Sequence, residues 1–311
     1  MSELNLNFLN DEAKKNPEEL ILRAEDKYTR IIKTLAKRIL ENEKIRIVLL
    51  AGPSGSGKTT SANLLRDELL ANGRESIVIS LDDFYREHSD EGYPRLENGE
   101  MDFEAFDALD VPLLQNMLLK VSLGEGFEIP KYDFKTGKRK EGKSHAPMPN
   151  GTVIIEGLHA LNPRVFSLLP KERLLKIFIS VSTNINNEGG RILSGRKIRF
   201  VRRLVRDSIY RNADATRTLA LWKNVLLGED TYLYPFKDNA DVFFDTFHEF
   251  ELSVMRPFVL KLISSELANS DAYAKTVKDA LSSVVPIDLN LLPDTSLIRE
   301  FVPGGIYENI Y

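Results

Sequence analysis

The stretch that decides the fold is Ile45-Arg46-Ile47-Val48-Leu49-Leu50-Ala51 followed by Gly52-Pro53-Ser54-Gly55-Ser56-Gly57-Lys58-Thr59-Thr60. A short, nearly continuous run of β-branched and leucine residues suits a strand covered on both faces of a parallel sheet. The segment after it matches the G-x-x-x-x-G-K-[ST] pattern in full. Its glycines let successive backbone N–H groups turn inward around a phosphate, and a helix starting at Lys58 adds its positive N-terminal end. In that chemistry Lys58 reaches the β and γ oxygens of a nucleoside triphosphate, and the Thr59 hydroxyl binds Mg²⁺. A glycine- and serine-rich turn arising by chance would lack the apolar strand before it and the amphipathic pattern of Thr59–Leu70 after it.

Working outward, further short apolar runs fall at Ser76–Leu81, Thr152–Ile155, Leu174–Val181 and Ala240–Phe244. Helical patterns intervene at Asp110–Lys120 and Phe200–Tyr210. Strands alternating with helices predict an α/β fold with a doubly wound parallel sheet. Residues 11–42 carry apolar positions at helical spacing and predict one or two helices. The division expected is a helical N-terminal extension over 1–44, a P-loop domain over 45–265, and a C-terminal helical appendage and tail over 266–311. Residues 85–108 and 124–151 are rich in glycine, proline and charge, and read as irregular chain retained for a purpose.

Composition narrows the classes. The chain has 311 residues, 42% hydrophobic and 28% charged, with a formal charge of −4 and no cysteine. That balance fits an ordinary globular chain, gives no global pull toward nucleic acid, and removes disulfides and thiolate chemistry. Neither a secretory signal pattern nor an apolar run of membrane length is present, so a cytoplasmic protein is expected.

Acidic residues leave the strands where ligands gather in open α/β sheets. Asp82, after the second strand, can accept a hydroxyl proton or help hold Mg²⁺, or it can cap a turn. Glu156, after the third, is placed as a second Mg²⁺ anchor. Alternation along the second strand points Asp83 away from Asp82, so Asp83 is expected to matter much less. Between Arg191 and Arg217 nine basic residues face only Asp207 and Asp214. Such a run suits phosphoryl oxygens, a solvated basic face, or RNA.

In combination, GPSGSGKTT (52–60), SLDDFYR (80–86), DFEAFDALD (102–110), PKYDFKTGKR (130–139), IIEG (154–157), RFVRRLVRDSIYR (199–211) and NADVFFDT (239–246) resemble the uridine kinase group of the uridine kinase/phosphoribulokinase superfamily. The tail LIREFVPGG (297–305) resembles that of bacterial uridine kinase-like proteins. Many of these carry a threonyl-tRNA synthetase-like N-terminal region, for which this chain has the segment 1–44. The resemblance implies a kinase that uses ATP or GTP with Mg²⁺ on the 5′-hydroxyl of a pyrimidine ribonucleoside. It implies Asp82 as the base, with Thr59, Glu156 and Asp82 around the metal. Tyr85, Phe103, Tyr132 and Phe134 would line the nucleoside pocket. Glu104 would hold ribose hydroxyls, one methylene longer than the usual aspartate. Arg203, Arg206 and Arg211 would form a lid on the triphosphate. From spacing alone, the same aromatics read equally well as core. Two departures stand out: a base-contacting histidine falls at Gly137, and a lid arginine at Ala213, for which Arg211 or Arg217 would compensate.

The partner expected is a small nucleoside, with no nucleic acid and no membrane, and a homo-oligomer is left open. Other small alcohols (sugar phosphates, pantothenate, glycerate) stay open as acceptors, kept alive by Lys131, Lys135, Lys138, Arg139 and Lys140. So does a nucleotide-dependent regulator or RNA-associated ATPase.

Overall fold

The computed structural model describes residues 2–307; the last four residues of the expected tail, 308–311, lie outside the described residues. In chain order the first elements are β1 (Glu3–Asn5), α1 (Leu6–Lys15), α2 (Pro17–Leu40), β2 (Ile47–Ala51), α3 (Lys58–Ala71) and β3 (Ser76–Ser80). Then come α4 (Val111–Leu123), β4 (Phe127–Asp133), β5 (Lys138–His145), β6 (Thr152–Glu156), α5 (Pro163–Phe166), β7 (Leu174–Ser180), β8 (Asn184–Asn187) and β9 (Gly190–Leu193). The chain continues through α6 (Gly195–Tyr210), α7 (Ala215–Tyr232), β10 (Val242–Asp245), α8 (Glu251–Leu262), α9 (Ser265–Ser270) and α10 (Ala272–Ser282).

The main sheet has five parallel strands in the order β10-β7-β2-β6-β3. All five apolar runs found in the sequence are its strands. β2 lies at the centre, and its residues are buried throughout. Side-chain alternation divides it between two cores. Val48 and Leu50 pack with α1, α2, α3, α6, α8 and α10 on one face, whereas Ile47, Leu49 and Ala51 pack with α4 and α5 on the other. Being covered on both sides is what makes the run read as unbroken hydrophobicity.

The small sheet β1-β8-β9 was not expected, and two further departures bear on the site. Within 124–151, β4 and β5 form an antiparallel hairpin whose ladder is interrupted between Ile129 and Lys131. Pro130 sits in that interruption and has no N–H to give to a ladder. Second, β3 stops at Ser80, and Leu81–Phe84 winds into a 3₁₀ turn. Strand alternation therefore does not govern Asp83. Its carboxylate pairs with Lys131 at 3.0 Å and accepts from Tyr132 N–H at 3.4 Å, tying the hairpin to the sheet edge.

The N-terminal helices pack into the same core as the P-loop helix. Tyr28 on α2 is hydrogen-bonded to Ser61 on α3 at 2.6 Å, and β1 pairs in parallel with β8. No helix among the described residues is long and apolar enough to cross a membrane.

Candidate active site

The loop between β2 and α3 is held from outside by buried ion pairs. Arg199 on α6 donates to both carboxylate oxygens of Glu229 on α7, at 2.7 and 2.8 Å, and to Ser54 O at 2.8 Å. Glu229 also accepts from Ser54 N–H at 2.9 Å. Arg202 donates to Glu251 at 2.9 and 2.6 Å and to Gly55 O at 3.2 Å, while the Thr246 hydroxyl donates to Ser56 O at 2.7 Å. Both guanidinium groups are fully buried. Part of the arginine run is therefore neither lid nor solvated face: Arg199 and Arg202 are the struts of the cradle. Glu229, Glu251 and Thr246, their partners, were not singled out in the sequence. A buried acid on a helix leaves no mark in local spacing, and only Thr246 ended a motif that had been noticed.

Arg203 meets the same loop residue, donating to the Ser54 hydroxyl at 2.8 Å, and pairs with Asp207 at 3.2 Å. Arg206 pairs with Asp207 at 2.7 Å, and Arg211 lies 3.7 Å from the same carboxylate. Burial and the neighbouring Arg206 lower the pKa of Arg203, as expected where cations are crowded. Lys58 folds back to Pro53 O at 3.2 Å.

Asp82 and Glu156 face this positive cluster. Glu156 is buried at the end of β6, and desolvation pushes its carboxyl up to about 7 against the opposing pull of Lys58. Asp82 opens onto the cleft, yet surrounding protein bulk raises its pKa as well, while Lys58, Arg211 and Arg206 pull it down. Glu104 is raised to about 7, mainly by burial, with Arg203 lowering it and Asp82 raising it. Three carboxylates and a lysine thus share one electrostatic site. Glu156 feels the charge of Asp82, and with the Thr59 hydroxyl at the start of α3 these side chains would supply the all-oxygen donors a hard cation prefers, so the residue types fit Mg²⁺. The extra methylene of Glu104 has a place: Gly228 on α7 lies so close that a Cβ there would come within 2.6 Å of Glu104 Cβ.

Next to these carboxylates, Tyr85, Tyr132 and Phe134 converge, with ring centroids 5.0 to 5.7 Å apart. Phe134 and Phe103 are 60% and 48% exposed, too open for core residues, whereas Tyr132 is buried. Phe103 joins through His88, whose ring lies 5.2 Å from Phe103 and 6.2 Å from Tyr132. His88 escaped the sequence reading because it sits in the irregular segment 85–108. It packs directly on Gly137, whose φ of +67° and lack of Cβ leave room for the imidazole. A histidine at 137 would collide with the one at 88.

The fold and this site define a P-loop protein with a doubly wound parallel sheet and an acidic, aromatic-walled cleft beside the phosphate loop. The chain belongs to the Phosphoribulokinase / Uridine kinase family, whose model matches residues 47–253. It is 27% identical over 267 residues to a uridine kinase of Schizosaccharomyces pombe, covering 82% of this chain and 54% of that protein. It is 28% identical over 200 residues to a uridine kinase of Borrelia duttonii, covering 64% and 85% respectively. The chain thus spans about half the length of the first of these relatives. Among solved structures, a putative fructose transport system kinase from Silicibacter superposes with a TM-score of 0.50 at 20% identity, over 68% of this chain and 98% of that one, which speaks to fold alone.

Proposed function

We propose that this protein is a phosphotransferase that moves the γ-phosphoryl group of ATP or GTP to the 5′-hydroxyl of uridine or cytidine. The observation that carries the reading is the aromatic cluster of half-buried Tyr85 with exposed Phe103 and Phe134, beside Asp82 and Glu104 at the mouth of the phosphate loop. Aromatic faces suit a flat base, and a carboxylate can accept hydrogen bonds from ribose hydroxyls. Asp82 takes the proton of the attacking hydroxyl, a role for which a raised pKa is suited. Glu104 orients the sugar. Lys58, Arg203, Arg206 and Arg211 neutralise charge on the transferring group, which together with positioning supplies most of the rate in phosphoryl transfer. Thr59, Glu156 and Asp82 would hold Mg²⁺, which would supply charge neutralisation for the phosphates. His88 takes the place beside the base that position 137 cannot fill.

Of the basic residues that would welcome a phosphorylated sugar, Lys131, Arg139 and Lys140 pair with Asp83, Asp110 and Asp133, while Lys135 and Lys138 keep that rival within the test below. Arg199 and Arg202, which would have offered RNA a basic face, are buried under the loop. The test is ADP release coupled to an optical readout, with uridine, cytidine, glycerate, pantothenate and sugar phosphates as acceptors. Turnover confined to nucleosides is expected. Turnover on another alcohol alone, or ATP hydrolysis stimulated by RNA, would replace this reading.

A further inference from the structure

The segment after α10 returns to the phosphate loop. Leu297, Ile298, Phe301 and Val302 are fully buried in the core that holds α2 and α3. The Leu297 side chain fills the space in front of Gly57, 2.7 Å from where a Cβ would stand. Phe301 lies under the Arg202 guanidinium at 5.2 Å, so this segment also buttresses the arginine struts. Ser296 is hydrogen-bonded to Glu25 on α2, and Tyr210 on α6 donates to Val302 O at 3.2 Å.

Within this anchored segment Glu300 does something the packing does not require. Its carboxylate accepts from Thr60 N–H at 2.9 Å. The first backbone bond of α3 is made by Ser61 N–H, to Gly57 O, so Thr60 carries one of the free donors at the helix start. In a phosphate-binding loop those donors are what cradle the α- and β-phosphates. A residue with 8% exposure thus delivers a negative charge to an amide that a nucleotide needs. Beside it lies a cavity of about 10 Å³ between Thr59, Thr60, Tyr210, Ser296 and Arg299, enough for one water and not for a phosphate.

We propose that Glu300 sets donor affinity by occupying the Thr60 amide as a built-in stand-in for phosphate, which the nucleotide must displace. The four buried apolar side chains around it fix the backbone of the segment, so displacement is a swing of the Glu300 side chain and not a release of the tail. A donor therefore has to evict a like charge before its own phosphate can settle. The inference uses the phosphotransferase reading only in requiring that the loop bind a nucleotide, and it is indifferent to the acceptor.

The test is titration of ATP and of ADP into the full chain by calorimetry, without acceptor, for wild type and Glu300→Gln. Glutamine keeps an acceptor for Thr60 N–H and removes the charge. Tighter binding by about tenfold is expected for the variant, the scale of one like charge removed from beside a phosphate. Equal or weaker binding by a folded variant would overturn the proposal, as would nucleotide binding by neither protein. Should the variant fold poorly, the wild type decides alone: its structure with ADP bound should show phosphate on the Thr60 amide and the Glu300 carboxylate moved away. A Glu300–Thr60 bond that survives with nucleotide in place would overturn the proposal equally. A protein that binds nucleotide as described but phosphorylates no nucleoside would refute the acceptor assignment and leave this one standing.

Discussion

The donor loop and the acceptor hairpin are held by opposite means. Around the loop, the ion pairs Arg199–Glu229 and Arg202–Glu251 have side chains at most 1% exposed, and each arginine also bonds a loop carbonyl. Around the hairpin, Lys131–Asp83 and Lys140–Asp133 join lysines that are each 63% exposed. Of the rings beside them, Phe103 and Phe134 stand in solvent. A buried pair cannot let go of its partner without leaving a naked charge, whereas a solvated pair exchanges one environment for another at little cost. The loop is thus built before its ligand arrives, and the hairpin side keeps freedom that the acceptor must take up on binding.

The largest break in that contrast is chemical. Lys58→Ala removes the charge from the centre of the preformed loop and touches no core contact. Turnover should fall by about 10³-fold or more, the scale of losing a fixed electrostatic stabiliser of a transition state. The melting temperature should stay within a few degrees of wild type.

The next is structural. Arg202→Met strands Glu251 in the core and should cost about 3–5 kcal/mol of unfolding free energy, whereas Lys131→Met on the hairpin should cost under about 1 kcal/mol. Denaturant unfolding of both variants compares them directly. Similar losses would mean that the two regions are not held as differently as their burial implies.

The third is electrostatic. Because Glu156 is raised to about 7 in the folded chain, the folded state holds a proton there that the unfolded chain has already lost. This group therefore costs stability as pH rises from the ordinary carboxyl range to about 7, and the cost persists above that. A cation must displace that proton, so Mg²⁺ affinity should weaken by about tenfold per pH unit below 7 and level off above it. Glu156→Gln should remove both the pH dependence of Mg²⁺ binding and this part of the pH dependence of stability. Titrations at pH 6, 7 and 8 read the slope.

The smallest belongs to the acceptor side. Gly228→Ala would press on Glu104 and should raise the nucleoside KM by about tenfold, as a misplaced positioning group does, while leaving the KM for ATP alone. A matched rise in both would place Glu104 nearer the donor than its surroundings suggest.

The same division explains what could be read from the chain. β2 and its loop were legible because one local pattern encodes them: an apolar run, glycines at fixed offsets, then Lys58 and Thr59. β6 and β7 followed from the same double burial, whereas β3 and β10, part-buried at the sheet edges, showed as short apolar runs. The hairpin was hidden because Pro130 breaks its ladder and lysines line it, so no alternation survives. Asp83 was read from strand alternation, but β3 ends at Ser80, two residues before Asp82, and the acidic pair lies in a 3₁₀ turn. The roles of Glu229, Glu251 and Glu300 were not legible, since Glu229 and Glu300 meet the loop from 175 and 240 residues away and Glu251 reaches it only through Arg202, by tertiary packing that spacing does not record. His88 sits in irregular chain and becomes visible only when Gly137 is seen to make room for it.

The central claim is a nucleoside acceptor at Asp82, and ³¹P NMR of the product tests it most directly. Incubated with Mg²⁺, ATP and uridine, the wild type should form uridine 5′-monophosphate and ADP in equal amounts. Asp82→Asn should do so about 10²- to 10⁴-fold more slowly, the range for loss of a general base. Release of inorganic phosphate without a phosphorylated nucleoside, or a monophosphate formed equally fast by the variant, would contradict the account.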